Sequence, residues 1–253
     1  MGRSLHVASG DLVYHVLNRA NAGRTLFEDT GDYGAFQRVL LQACGRGPVR
    51  LLPYCLMPNH WHLVVWPRHD GDLSRLMNWL TLTHTQRWHQ HHQSVGDGHV
   101  YQARFKSFPV ETNEYLVTVC RYVERNPVRG GPRRTSRTLA VEQCPAVGIE
   151  QPGVPLSSGP TQRPADWLQW VNQAERQEQM EAVRCSVSKG QLYGSVQWVT
   201  QMVAERKVGR DDSKAGATED KGAGKWFLTP FCLPKWRIDT NCIAEVQCAT
   251  IST

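Results

Sequence analysis

Residues Val49 to Trp66 read VRLLPYCLMPNHWHLVVW and carry the clearest strand pattern in the chain. This stretch holds two runs of apolar, β-branched and aromatic residues, which predict strands at Val49–Met57 and His60–Trp66. Pro58-Asn59 between the runs is typical of a turn. Strands joined by so short a connection pair antiparallel, so the stretch predicts a β-hairpin.

Helices and strands are predicted on both sides of this hairpin. Towards the N-terminus, Val13–Asn18 predicts a strand, and the apolar residues of Asp32–Cys44 recur at helical spacing. Towards the C-terminus, a long helix over residues 72–93 precedes an extended segment at 101–110. A last helix is expected to begin at Thr112 or Asn113, which can cap it, and to end at Arg125 or Asn126 before Pro127.

The resulting order is β, α, β, β, α, β, α. It predicts an α+β fold in which helices pack on a mostly antiparallel sheet, with a ferredoxin-like topology. This domain covers residues 1–129. Behind it we expect a linker at 130–163, a helical C-terminal extension at 164–208 and a disordered or irregular tail at 209–253.

The composition narrows the function classes. The chain of 253 residues carries a net charge of +6 and a pI of about 9.0, which fits a polyanionic partner but equally fits a mildly basic soluble protein. No apolar run is long enough to span a membrane, and the N-terminus lacks a signal-peptide core. The cysteines are scattered without a C-x-x-C pair, so we expect neither a zinc site nor a disulfide framework, and a cytoplasmic location.

His60 and His62 are the first candidates for chemistry. Side chains alternate along a strand, so both imidazoles lie on one face of the hairpin and Trp61 lies on the other. Two imidazoles this close can share a divalent ion. A histidine pair of this kind also occurs by accident on surfaces and in cores, so the pair alone does not decide.

Tyr122 and Asn126 are the second candidates, because they lie one turn apart on the last predicted helix. A phenol and a carboxamide beside a metal suit tyrosine attack on a phosphodiester, in which the metal stabilises the reacting phosphate and the enzyme forms a covalent phosphotyrosine. The ordinary alternative is a half-buried helix tyrosine, and spacing alone favours it.

Three stretches together resemble the single-tyrosine HUH transposases. They are LPYCLMPNHWHLV at 52–64, YQARFKS at 101–107 and RYVERNPVR at 121–129. Among these insertion-sequence-200-like transposases, the REP-associated tyrosine transposases are the most similar group. The resemblance covers residues 12–129, and the histidine block followed by the Tyr-x-x-x-Asn-Pro block is specific.

The resemblance implies a transposase that nicks and rejoins single-stranded DNA beside imperfect hairpins through a 5′-phosphotyrosine. At the matching positions, Tyr122 would be the nucleophile, and His60, His62 and Asn126 would hold a divalent metal ion, Mg²⁺ or Mn²⁺. Tyr115 shares the helix face of Tyr122 but not the motif position. The protein would act as a monomer or a homodimer, with no membrane partner.

Basic residues near these blocks are the candidates for contacts with DNA phosphates. Some flank the first loop, some precede the last helix and some surround the tyrosine. They are Arg19, Arg24, Arg104, Lys106, Arg121, Arg125 and Arg129.

The chain departs from the family pattern at residues 130–153. Codons that encode Leu139 to Cys144 can read Trp-Arg-Trp-Ser-Ser, a family motif, when they are shifted by one base. We therefore expect a reading-frame shift here, which the nucleotide sequence decides. Two alternatives to an active transposase stay open. One is a sequence- or hairpin-specific DNA-binding protein that the altered segment makes catalytically inactive. The other is an unrelated metal hydrolase that uses His60 and His62 and in which Tyr122 has no role.

Overall fold

A computed structural model describes residues 8–130 and 156–215, with side-chain surroundings for 8–126 and 156–205. The frame-shift hypothesis at 130–153 therefore lies outside the described residues, apart from residue 130. So does most of the tail for which disorder was predicted.

A four-stranded antiparallel sheet forms the centre of the fold. Its strands are β1 (Val13–Arg19), β2 (Val49–Met57), β3 (His60–Pro67) and β4 (Lys106–Val110), in the order β2-β3-β1-β4. This is the ferredoxin-like order in which the first and third strands are neighbours at the centre. The predicted α+β fold, its hairpin and its topology are confirmed.

Two of the three prolines in the described strands lie on edge strands, where a missing N–H is tolerated, and the third, Pro67, is the last residue of β3. Pro53 lies on β2 at a shift in register between Leu51 and Tyr54, and Pro109 lies on β4. Strand β4 is shorter than predicted. Tyr101 forms only an isolated bridge with Ala20, so the segment before Lys106 does not join the ladder.

Helices cover both faces of the sheet. Helices α1 (Thr30–Cys44) and α2 (Asp72–His91) pack together on one face, where Phe36 and Trp61 are fully buried. Helix α3 (Glu114–Gly130) packs on the other face against Val64 and Phe108. Asn113 caps α3 as predicted, since its Oδ1 accepts a hydrogen bond from the Tyr115 N–H at 3.0 Å.

The prediction that Pro127 ends the last helix is wrong, because α3 continues to Gly130. Proline removes one backbone donor, but its fixed φ of about −65° is itself helical, so a helix can pass through it.

The C-terminal extension folds onto α3. It comprises α4 (Trp167–Asn172), α5 (Gln177–Lys189) and α6 (Val196–Ala215), and α3 contacts both α4 and α5. The extension predicted to be helical at 164–208 thus contains three helices, and α6 continues beyond 208 into the segment predicted to be disordered. Among the described helices, none is long and apolar enough to cross a membrane.

Candidate active site

The histidine pair lies at the start of β3, on the face of the sheet that α3 covers. The rings of His60 and His62 are 5.1 Å apart between centroids and nearly perpendicular. Trp61 points to the opposite face, where it is 0% exposed and its Nε1–H donates to the Tyr101 hydroxyl at 3.1 Å. The alternation predicted for this strand is therefore present, and the two imidazoles share one environment.

His60 is held neutral and in a defined orientation. Burial, with a smaller effect of the nearby Arg19 guanidinium, lowers the pKa of His60 to about 4. Its Nδ1 lies 2.7 Å from the Oδ1 of Asn59, an atom that can only accept, so His60 must donate from Nδ1. The lone pair of this imidazole therefore lies on Nε2, the nitrogen through which it can ligate a metal ion.

His62 is 3% exposed and is within hydrogen-bond distance of a third histidine, His15 of β1. The His15 Nε2 and the His62 Nδ1 are 2.9 Å apart, and the two rings stack with a centroid distance of 5.0 Å. Burial lowers the pKa of His15 to about 3, so this residue is neutral as well. Sequence reasoning missed His15, since only the pairing of β1 with β3 brings it next to His62.

Tyr122 lies on α3 directly over the histidines. Its ring centroid is 6.0 Å from that of His62 and 6.1 Å from that of His15, with edge-on geometry in both cases. The side chain is only 7% exposed. Its other side borders a shallow hollow shared with Met180 and Val183 of α5. The structure thus brings Tyr122 to the histidine pair and also covers it.

Tyr115 has a different environment from Tyr122. Its ring packs edge-on against Tyr193 of the extension, at 5.2 Å between centroids. No ring contact of Tyr115 with His60 or His62 is present among the described side chains.

Asn126 follows Tyr122 by one turn of α3. Its Nδ2 is buried and has no hydrogen-bond partner among the described residues. A buried amide atom without a partner is costly unless something else meets it. Turning the amide about its own axis puts the Oδ1 there instead, and this oxygen is a ligand type that Mg²⁺ and Mn²⁺ accept. Two imidazoles, of which burial keeps that of His60 neutral, and such an amide fit a divalent ion that keeps open positions.

The predicted DNA-binding residues divide into an exposed and a buried set. Arg19 pairs across the strands with His60, and Lys106 begins β4. Both are exposed, as are Arg24 and Arg104. These four cations are accessible to a phosphate backbone, and two of them lie on strands next to the candidate site.

Arg121 and Arg125 bind the protein itself instead of facing solvent. Arg121 is 5% exposed, its Nη2 donates to the Gln173 carbonyl at 2.9 Å, and its guanidinium stacks on Trp170. Arg125 donates to the Val171 carbonyl at 2.7 Å and pairs with Glu175. Both residues brace the extension against α3. The side chain of Arg129 lies outside the described residues.

A second group of possible metal ligands lies on the opposite face of the sheet. The ligand atoms of Asp32, His91 and His92 all fall within 4.8 Å of one another. Asp32 already accepts a hydrogen bond from the Glu28 N–H at 2.9 Å and contacts His92 at 3.2 Å. These contacts join the start of α1 to the end of α2, which is a structural role.

Comparisons with known proteins bear on the N-terminal part of the chain. The profile of the family described as "Transposase IS200 like" matches residues 8–126. No curated protein matches. A solved structure, titled "Structure of the REP associates tyrosine transposase bound to a REP hairpin", is similar with 16% sequence identity and a TM-score of 0.42, covering 54% of this chain and 78% of that one. We draw no conclusion about this chain from that similarity.

Proposed function

Residues 8–126 match the family of IS200-like transposases, and from this similarity we propose that the chain nicks and rejoins single-stranded DNA with Tyr122 as the nucleophile. The observation that supports this most is the edge-on approach of the Tyr122 ring to His62, at 6.0 Å between centroids. It joins the tyrosine and histidine blocks, which are far apart in sequence, in one site.

The reaction is a transesterification at a DNA phosphate. The Tyr122 Oη loses its proton and forms a bond to phosphorus, while the bond from phosphorus to the 3′ oxygen of the preceding nucleotide breaks and that oxygen takes up a proton. The DNA then carries a 5′-phosphotyrosine at one end and a free 3′-hydroxyl at the other. Because the phosphodiester energy is kept in the tyrosyl ester, attack by a 3′-hydroxyl reverses the step and rejoins DNA.

We propose His60, His62 and Asn126 as the ligands of a divalent metal ion, Mg²⁺ or Mn²⁺. Bound there, the ion would neutralise charge on the phosphate and stabilise the leaving oxygen. The residues themselves supply neutral donors, since burial keeps the His60 imidazole unprotonated near neutral pH.

Exposed cations are proposed to hold the DNA strand. Arg19, Arg24, Arg104 and Lys106 are exposed, and the chain carries a net charge of +6. Contacts to phosphates of this kind position a strand without reading its sequence. As in the transposases that the sequence resembles, the proposed substrate is single-stranded DNA next to an imperfect hairpin.

A second candidate function is hairpin binding without cleavage. The observation that favours it is the 7% exposure of Tyr122, whose outer side faces Met180 and Val183 of the extension. A phosphate cannot reach a phenol that stays covered. The extension would have to shift for the first function, but not for the second.

One experiment separates the candidates. End-labelled single-stranded hairpin DNA is incubated with the full chain and Mn²⁺, and covalent adducts are resolved on denaturing gels. The variants are Tyr122→Phe, His60→Ala and the matched control Tyr115→Phe. We expect an adduct that chelation, Tyr122→Phe and His60→Ala abolish and Tyr115→Phe retains. Binding without an adduct supports the second candidate, and cleavage that survives Tyr122→Phe supports a metal hydrolase.

A further inference from the structure

His15 lies beside the proposed metal site, against His62 and Tyr122, without belonging to the set of ligands. It is 0% exposed and lies between Phe108, at 5.0 Å between ring centroids, and the His62 ring. Its Nε2 meets the His62 Nδ1 at 2.9 Å. Its other nitrogen, Nδ1, is buried without a hydrogen-bond partner among the described residues. A buried polar atom in this position requires an explanation.

An Nδ1 without a partner can be explained by the position of the single proton on each neutral imidazole. Each neutral ring has one N–H and one lone pair. Asn59 can only accept from His60, which fixes that ring. The contact between His15 and His62 can run in either direction, because each ring can donate or accept. In one direction His62 carries its proton on Nδ1, and in the other it carries the proton on Nε2.

The direction decides whether His62 can bind a metal ion. If His15 donates, His62 keeps its proton on Nε2, and this nitrogen cannot act as a ligand. If His62 donates, the lone pair lies on Nε2, the nitrogen remote from His15. The His15 Nδ1 then carries a buried N–H without an acceptor among the described residues, which costs free energy. Orphaned buried N–H groups are rare, so the pair without metal favours donation from His15.

Resting on the proposed function, we propose that His15 is a positioning residue that accepts the His62 Nδ1 proton and so presents the His62 Nε2 to the metal ion. For an ion to bind at the His62 Nε2, one proton would cross the hydrogen bond from the His15 Nε2 to the His62 Nδ1. The Nε2 proton of His62 is released to solvent, and the His15 Nδ1 takes up one proton. Both rings remain neutral and the protons balance.

The test is the affinity for Mn²⁺ of the full chain without DNA, measured by isothermal titration calorimetry. His15→Phe keeps the ring shape but has no acceptor, and His15→Gln places an amide oxygen near the position of Nε2. We expect His15→Phe to weaken Mn²⁺ binding by about 10- to 100-fold, the usual effect of losing such a supporting group, and His15→Gln to restore it to the wild-type level or above. His84→Phe, which removes a buried histidine on the opposite face, is the matched control and should leave the affinity unchanged.

The outcomes separate this inference from the function on which it rests. The role of His15 would be overturned if His15→Phe bound Mn²⁺ as tightly as the wild type, or if His15→Gln bound it as weakly as His15→Phe. A Tyr122-dependent DNA adduct would still support the transposase in either case. Unchanged Mn²⁺ affinity in His60→Ala would overturn the metal site, and the role of His15 with it.

A second measurement needs no variant and therefore does not depend on whether His15→Phe folds. Nitrogen-15 NMR of the wild-type histidines reports which ring nitrogen is protonated, with Zn²⁺ as a diamagnetic probe of the site. On adding Zn²⁺ we expect the His62 proton on Nδ1 and the His15 proton on Nδ1. A His62 that keeps its Nε2 proton with the metal bound contradicts the proposal.

Discussion

Stability should depend on pH through His84, which lies behind the hairpin that carries the site. The Trp61 Nε1–H donates to the Tyr101 hydroxyl, and this hydroxyl lies 2.7 Å from the His84 Nδ1. His84 is 4% exposed and packs edge-on against Phe36. Burial lowers the pKa of His84 to about 4 from 6.5, a change that Asp32 opposes and His92 reinforces.

Stability should fall with falling pH, because the folded and unfolded chains bind different numbers of protons at His84. Between the folded pKa of about 4 and the unfolded value of 6.5, the unfolded chain binds more protons at His84 than the folded chain does. Stability is therefore fully present above the unfolded value and is lost as the pH falls. From about pH 7.5 to about pH 5, this one histidine should cost about 2 kcal/mol. The figure depends almost wholly on the unfolded value, since the folded pKa lies below the lower end of the window.

The assay is urea unfolding at several pH values for the wild type, His84→Phe and Tyr101→Phe. The loss of stability between the two ends of the window should be smaller by about 2 kcal/mol in His84→Phe than in the wild type. Tyr101→Phe removes the hydrogen bonds to Trp61 and His84 but keeps the buried imidazole, so it should lower stability at every pH and keep most of the wild-type slope. Equal slopes for the wild type and His84→Phe would refute the reasoning.

Three further outcomes are expected. Asn59→Ala removes the acceptor of the His60 Nδ1 proton and should weaken Mn²⁺ binding by about 10-fold or more in calorimetry; an unchanged affinity would mean that Asn59 does not orient this ring. Trp167→Phe removes a 2.7 Å hydrogen bond to the buried Glu124 carboxylate and should lower the free energy of unfolding by about 1–3 kcal/mol, whereas no loss in urea unfolding would argue against docking of the extension. Phe36→Ala deletes a ring with 0% exposure, and its cost should be about 3–5 kcal/mol, so a thermal melt close to that of the wild type would contradict the core described above.

The hairpin and the orientation of its histidines could be predicted because both depend on local rules. Pro58-Asn59 supplies the turn, and a period of two places His60 and His62 on one face. The end of the last helix could not be predicted, since the local rule for Pro127 competes with a proline geometry that is itself helical.

The roles of residues that depend on tertiary contacts could not be predicted from the sequence. His15 is one of several histidines in the N-terminal half, and only the register of β1 against β3 makes it a partner of His62. Arg121 and Arg125 have the sequence context of phosphate-binding residues around the tyrosine. Both are buried because α4 and α5 dock on α3, and no pattern in the sequence predicts this docking.

Helix α3 packs against the extension as well as against the sheet. Val183 and Tyr193 belong to the same buried cluster as Val123, and the Glu124 carboxylate is met by the Arg163 guanidinium at 2.8 Å. During synthesis on the ribosome, the helix that bears the tyrosine therefore cannot complete its packing when the family-matched segment emerges. Its packing is complete only after residues up to Tyr193 have been synthesised. The segment that matches the family, residues 8–126, is therefore smaller than the unit that folds.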